Sequence, residues 1–103
     1  MKSESQKTIG IIGAGQMGSG IAQICVQSGF TVILSDISNE ILDTAINGVR
    51  KRIERLVERK KLSKNQIKII LGKITITQEF KSLGVCDFVL EAVTEDETVK
   101  VGI

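Results

Sequence analysis

The sequence predicts an α/β fold built on a parallel β-sheet, and three observations carry that prediction. In the stretch Thr8 to Gly18, Thr-Ile-Gly-Ile-Ile-Gly-Ala-Gly-Gln-Met-Gly, a short apolar strand runs into a glycine turn and the start of a helix. A second run of β-branched and apolar residues, Thr31-Val32-Ile33-Leu34-Ser35, ends at an acid, Asp36, and reads as a strand buried on both sides. Strand-like and helix-like segments then continue to alternate along the chain.

At 103 residues the chain suits one domain and not two, and it is short for a doubly wound sheet of six strands. With 42% hydrophobic and 25% charged residues and a net charge of +2, the composition is that of an ordinary globular protein, so charge singles out no partner. Met1 to Lys7 lead directly into the first strand without a leader pattern. No apolar run approaches the roughly 18 residues of a membrane span, so no membrane association and a cytoplasmic location are expected. Cys25 and Cys86 lack metal-ligand spacing and there is no histidine. No metal site is expected, both cysteines read as buried small hydrophobes, and no Ser-His or Cys-His pair can be built from these residues.

Taken in order, the first strand spans Thr8 to Ile12. The helix after the glycine turn runs from about Gln16 to Ser28, with Met17, Ile21, Ile24, Cys25 and Ser28 on one face, and Gly29 stops it. After the second strand, Ser38 is the expected N-cap of a long helix in which Ile41, Ala45, Val49, Ile53, Leu56 and Val57 recur as far as Lys60. Ser63-Lys64-Asn65-Gln66 has the form of a capping box and opens a short helix ending at Gly72. A helical pair thus replaces the usual single crossover. Ile74 to Thr77 reads as a third strand, Phe80 to Leu83 as a turn or brief helical piece, and Asp87 to Val93 as a fourth strand. Thr94-Glu95-Asp96-Glu97 again has capping-box form and predicts a last helix that has barely begun at Ile103, so the sequence reads as truncated inside an element. The fourth strand would then have an uncovered edge, and a homodimer through that edge or by exchange of the terminal helix is expected.

The end of the long helix is basic, with Arg50, Lys51, Arg52, Arg55, Arg59, Lys60 and Lys61 against Glu54 and Glu58. It reads as a solvated face with pairs such as Arg50 with Glu54 and Arg55 with Glu58; an anionic substrate tail is the sharper alternative. With three phenylalanines and neither tyrosine nor tryptophan there is no stacking platform, and nucleic acid is not an expected partner.

Gly13, Gly15 and Gly18 have the G-x-G-x-x-G spacing of a dinucleotide fingerprint. Gly13 permits the sharp turn, Gly15 lets backbone N–H groups approach a pyrophosphate, and Gly18 lets the helix pack close to the strand. The helix N-terminus, with its unpaired N–H donors, is the anion seat. Asp36 lies 23 residues after Gly13, near the roughly 20 at which a carboxylate meets the adenosine ribose hydroxyls. A 2′-phosphate would meet like charge there, so NAD is expected rather than NADP. The fold is accordingly a Rossmann-like sheet of order 3-2-1-4 with right-handed crossovers, incomplete at its C-terminus and with the helical pair between strands 2 and 3.

Ile9 to Gln23, Ser35-Asp36 and Leu90-Glu91-Ala92-Val93 together resemble the N-terminal part of the short-chain (S)-3-hydroxyacyl-CoA dehydrogenases and their bacterial 3-hydroxybutyryl-CoA relatives, over nearly the whole chain. The resemblance implies that Gly13, Ala14, Gly15, Gln16, Met17 and Gly18 hold the pyrophosphate and Asp36 the ribose. It further assigns nucleotide contacts to Glu95 and Lys100, which by themselves read as a helix-capping acid and a solvated lysine. The helical pair would border the acyl-CoA site. A serine and a lysine of the family fall, by an ungapped count from Asp36, at Arg52 and Arg59; Arg52 departs in type, and Arg59 keeps the charge and is the candidate substrate contact.

No catalytic residue is expected within the chain, because the resemblance puts the family's catalytic histidine and glutamate, and the helical domain that supplies most of the dimer interface, downstream. The implied activity is interconversion of (S)-3-hydroxyacyl-CoA and 3-ketoacyl-CoA in fatty acid or butanoate metabolism, with the 103 residues alone inactive. The alternatives are another β-hydroxyacid-type or sugar-acid NAD dehydrogenase, or a stand-alone NAD-binding module without chemistry.

Overall fold

Thr8–Ile12 forms β1 at the middle of a five-stranded sheet of order β3-β2-β1-β4-β5. The computed structural model describes residues 7–93 and 98–102, with side chains described for residues 7–92. β2 (Thr31–Ser35) and β4 (Phe88–Val93) flank β1 in parallel, and β3 (Ile74–Thr77) lies outside β2, also parallel. The parallel order 3-2-1-4 expected from the sequence is therefore present. Register is set from β1, where Ile9 stands opposite Val32 and Phe88, and Ile12 opposite Ser35 and Glu91.

The end of the chain differs from the expected last helix. Thr98–Gly102 is a strand, β5, antiparallel to β4, with Thr98 opposite Val93 and Gly102 opposite Val89. The residues explain this, since Thr98-Val99-Lys100-Val101 alternates with period two and is β-branched at three of its four positions. The capping-box residues 94–97 lie outside the described residues. β5 occupies the outer edge of β4, so the expected dimer through an uncovered β4 edge has no free row of backbone groups there, and no terminal helix is present among the described residues to exchange.

The helices stack from the sheet outward. α1 (Gln16–Gln27) packs on β1, β2 and β4, and α2 (Asn39–Glu58) packs on α1 and α3 (Asn65–Gly72). Ile11, Val32, Leu34, Val49 and Ile53 are fully buried in one core cluster with Ala22 and Val26. The other face of β1 meets a 3₁₀ segment, Phe80–Val85: a Cβ on Gly10 would lie 2.9 Å from both Cys86 Sγ and Leu83 Cδ2.

Two helix faces are rotated from the sequence reading. On α1 the buried positions are Gly18, Ser19, Ala22 and Val26, while Met17, Ile21 and Cys25 are half-buried and Ile24 is 65% exposed. Small residues face the sheet because the helix lies close to it, so side-chain size and not apolar spacing selects the face. On α2 the buried stripe is Leu42, Ala45, Val49 and Ile53; Leu42 is 1% exposed, whereas Ile41 is 41% exposed.

Helix ends follow local chemistry. Ser38 Oγ accepts from Ile41 N–H at 3.2 Å, as expected of an N-cap. At the start of α3 the Gln66 side chain reaches back to Ser63 N–H at 2.9 Å, one half of a capping box. α1 and α2 both end in the six-to-one and five-to-two bonds of a Schellman turn. In α1 these are Phe30 N–H to Cys25 O and Gly29 N–H to Val26 O, with Gly29 at φ 102°. In α2 they are Lys61 N–H to Leu56 O and Lys60 N–H to Val57 O, and the left-handed position, φ 59°, is taken by Lys60. Arg50 turns to Asn47, and neither Arg50–Glu54 nor Arg55–Glu58 is an ion pair. These long side chains are exposed, where water solvates each charge as well as a partner would.

Candidate functional site

The carboxyl ends of β1 and β2 and the N-terminus of α1 meet at the glycine turn. Gly13 takes φ 101°, and its N–H donates to Ser35 O at 2.8 Å, tying the turn to the end of β2. A Cβ on Gly13 would lie 2.3 Å from Ala92 O, so this position requires glycine both for its conformation and for its contact with β4. A Cβ on Gly18 would lie 1.9 Å from Gly13 O, which is the close helix–strand approach expected of the third glycine. Gly15 is the N-cap of α1, and its carbonyl accepts from Ser19 N–H at 2.9 Å. The N–H groups of Gln16, Met17 and Gly18 therefore precede the first intrahelical donor, Ser19 N–H, and form the donor end of the helix.

Asp36 sits beside this turn. Its Oδ2 accepts from Ala14 N–H at 2.9 Å and its Oδ1 from Ser38 N–H at 3.0 Å. Its own N–H donates to Thr77 O at 3.2 Å, which fixes the residue to β3 as well. Behind it the buried Ser35 hydroxyl donates to Ile11 O at 3.0 Å and pins β2 to β1.

Two cavities meet at the turn. One, of about 410 Å³, is lined by Gly13, Gly15, Asp36, Ile37, Ser38, Ile41 and Glu91 among others. The other, of about 660 Å³, lies between the first turns of α1 and the length of α2, with Gln16, Ser19, Thr44, Gly48 and Arg52 in its walls. Gly15 and Ile41 line both. The exposure of Ile41 is thus explained: it closes the wall between the cavities instead of joining the core.

The sequence-derived candidates divide accordingly. Gly13, Ala14, Gly15, Gln16, Met17, Gly18 and Asp36 come together at one point. Arg59 does not join them: it is the C-cap of α2, exposed, at the end of the helix opposite the turn and about 30 Å away along its axis. Glu95 lies outside the described residues. Lys100 lies on β5 with its Cα opposite Glu91, and its side chain is not described. Arg52 is half-buried and binds α1, donating to Gln23 Oε1 and, at 3.2 Å, to Ser19 Oγ. Cys25 and Cys86 are free and half-buried. Burial raises both thiol pKa values, and the charge of Asp87 adds to the rise at Cys86.

A strand, a glycine turn and a helix N-terminus meet here with a carboxylate bonded into the turn, and comparison with known proteins identifies the family of the chain. Residues 8–103 match the family model described as 3-hydroxyacyl-CoA dehydrogenase, NAD binding domain. The chain belongs to the 3-hydroxyacyl-CoA dehydrogenase family. The match is to its NAD-binding domain, so the cofactor of the domain is NAD. A probable 3-hydroxybutyryl-CoA dehydrogenase of Deinococcus radiodurans is 41% identical over 91 residues, covering 88% of this chain and 32% of the relative. The crystal structure of (S)-3-hydroxybutyryl-CoA dehydrogenase from Ralstonia eutropha superposes with a TM-score of 0.84 at 36% identity, covering 88% of this chain and 32% of that one. That of Escherichia coli 3-hydroxybutyryl-CoA dehydrogenase gives 0.82 at 35% identity, covering 88% of this chain and 19% of that one. The chain spans about a third of the length of curated relatives such as the Deinococcus radiodurans protein, and less of longer ones.

The residues present fit a dinucleotide. The turn has the positive φ and the close backbone approaches that leave room for no side chain at Gly13 or Gly18, and an acid adjoins it at the end of β2. Sequence reasoning missed Ile37 and Ile41 as cavity residues. Ile37 could have been found as the apolar residue directly after the acid. Ile41 could not, because its spacing also suits a buried stripe.

Proposed function

We propose that the chain is the nucleotide-binding portion of an NAD-dependent oxidoreductase that interconverts (S)-3-hydroxyacyl-CoA and 3-ketoacyl-CoA. The observation that carries this reading is the Asp36 carboxylate bonded at 2.9 Å to the glycine turn at the head of α1. The N–H groups of Gln16, Met17 and Gly18 take the diphosphate oxygens, with Gly13, Ala14 and Gly15 shaping the turn beneath them. Asp36 accepts from the adenosine ribose hydroxyls and repels a 2′-phosphate. Ile37 and Ile41 offer apolar surface to the adenine beside it. Glu95 and Lys100 add contacts to the nucleotide, and Arg59 is the candidate contact for the acyl-CoA tail.

NAD supplies the hydride chemistry when bound. The 103 residues include no histidine, so a histidine general base for the 3-hydroxyl has to come from outside them. The relatives' greater length supports a catalytic segment and a helical domain in the complete protein, which would assemble as a homodimer through that domain and work in the cytoplasm on fatty acyl-CoA substrates. Among the described residues no helix is long and apolar enough to cross a membrane.

The test is to incubate the 103-residue chain with NADH and acetoacetyl-CoA, following NADH absorbance, alongside a direct binding measurement. Binding of NADH without turnover is expected. Turnover by the chain alone would refute the division of labour, and absence of NADH binding would refute the nucleotide role.

A further inference from the structure

Asp36 has more hydrogen bonds to its own backbone surroundings than a ribose contact requires. Its Oδ2 bond reaches Ala14 N–H, 22 residues away in sequence and inside the glycine turn, while the Oδ1 bond to Ser38 N–H is local. Ala14 is 2% exposed, so little of it is open to water as an alternative acceptor for its N–H. A buried N–H left without a partner is costly enough to move the backbone that carries it. The neighbouring Gly13 N–H is held independently by Ser35 O. The end of β2 therefore holds two successive turn residues, one through a main-chain carbonyl and one through a side-chain carboxylate.

We propose that Asp36 is a positioning residue for the diphosphate-binding turn in addition to being a ribose contact, an inference that rests on the nucleotide-binding reading above. A carboxylate offers about four lone-pair sites. Two are taken by Ala14 and Ser38, and one on each oxygen remains for the pair of ribose hydroxyls, so the two roles do not compete. The bond to Ala14 sets the turn from which α1 starts, and the free N–H groups of Gln16 and Met17 follow within one helical turn. Loss of the carboxylate thus reaches the diphosphate seat as well as the ribose. It follows that removing the acid weakens NADH and NADPH together and does not by itself convert the site to NADPH.

The experiment compares the 103-residue chain with its Asp36→Ala variant by amide hydrogen exchange and by titration with NADH, NADPH and an NADH analogue whose adenosine ribose is 2′,3′-dideoxy. Exchange at Ala14 is expected to rise about tenfold or more in the variant, while Gly13 and β1 amides stay as in the parent; a mere loss of stability would raise them all. The dideoxy analogue has no hydroxyl for Asp36 to accept from, yet it is expected to bind the variant about two- to tenfold more weakly than the parent. Unchanged exchange at Ala14, or equal binding of the dideoxy analogue by both proteins, would overturn the positioning role. If the parent binds no nucleotide at all, the functional reading fails, and the exchange comparison alone decides whether Asp36 sets the turn. Should Asp36→Ala not fold, Asp36→Leu keeps the branched shape with no acceptor. Release of Ala14 or weaker dideoxy binding then supports the inference, and both unchanged overturns it.

Discussion

Replacing Gly18 by alanine is the substitution whose effect the structure fixes most tightly. The new Cβ would lie 1.9 Å from the Gly13 carbonyl oxygen, against the 3.0 Å that real Cβ contacts respect, so helix and turn have to part by at least 1.1 Å. The obstacle is backbone and cannot rotate away. Overpacking of this kind costs about 1–3 kcal/mol, and a rigid backbone neighbour puts it at about 3. Alanine returns about 1 kcal/mol of helix propensity, leaving a net loss of about 2 kcal/mol. For a domain of this size that lowers Tm by about 8–16 °C. Gly20, in the same helix with nothing within 4 Å of its Cβ position, is the control. Gly20→Ala is expected to stabilise by up to about 1 kcal/mol. Thermal and urea denaturation followed by circular dichroism measure both. A Gly18→Ala chain as stable as the parent, or one indistinguishable from Gly20→Ala, would refute the reasoning.

Lys60→Gly relieves a left-handed residue in the Schellman turn after α2 and is expected to stabilise by about 0.5–1 kcal/mol in urea denaturation; a loss would contradict the strain argument. Arg52→Leu removes the bonds to Gln23 and Ser19 that tie α2 to α1, with an expected loss of about 0.5–1.5 kcal/mol, and an unchanged midpoint would show that the tie contributes nothing. The thiols of Cys25 and Cys86 have raised pKa values, so the unfolded chain loses these protons first as pH rises. Stability from this source is complete below the ordinary thiol range of about 8.5 and declines above it, and a Cys25→Ala, Cys86→Ala double variant should show a smaller decline between neutral and alkaline pH.

The parallel sheet was legible because each strand carries its own signal. Thr8–Ile12, Thr31–Ser35 and Ile74–Thr77 have the bounds that β-branching and the flanking glycine, serine and aspartate residues suggested. The glycine turn was legible because three glycines at fixed offsets answer to three separate geometric needs. What misled was local chemistry whose tertiary context is invisible in sequence. The capping-box pattern at residues 94–97 outweighed the alternation of Thr98-Val99-Lys100-Val101, which pairs with β4. Apolar spacing put Ile24 and Ile41 in the core, whereas α1 turns its small residues to the sheet and Ile41 lines a cavity. The end of α2 was placed at Lys60, two residues past the observed Glu58, but its left-handed turn was not foreseen because a lysine fills the place where glycine is the usual signal. Arg52 illustrates a further limit: a count along the chain set it beside a substrate site, and only the fold reveals that its guanidinium reaches α1.

The central claim, that the glycine turn and Asp36 form an NAD seat, is tested most directly by calorimetric titration of this chain with NADH and, separately, with NADPH. Saturable binding of NADH, tighter than NADPH by about tenfold or more because the 2′-phosphate meets the Asp36 carboxylate, is the expected result. Equal affinity for the two would take Asp36 out of its assigned role, and binding of neither would contradict the account.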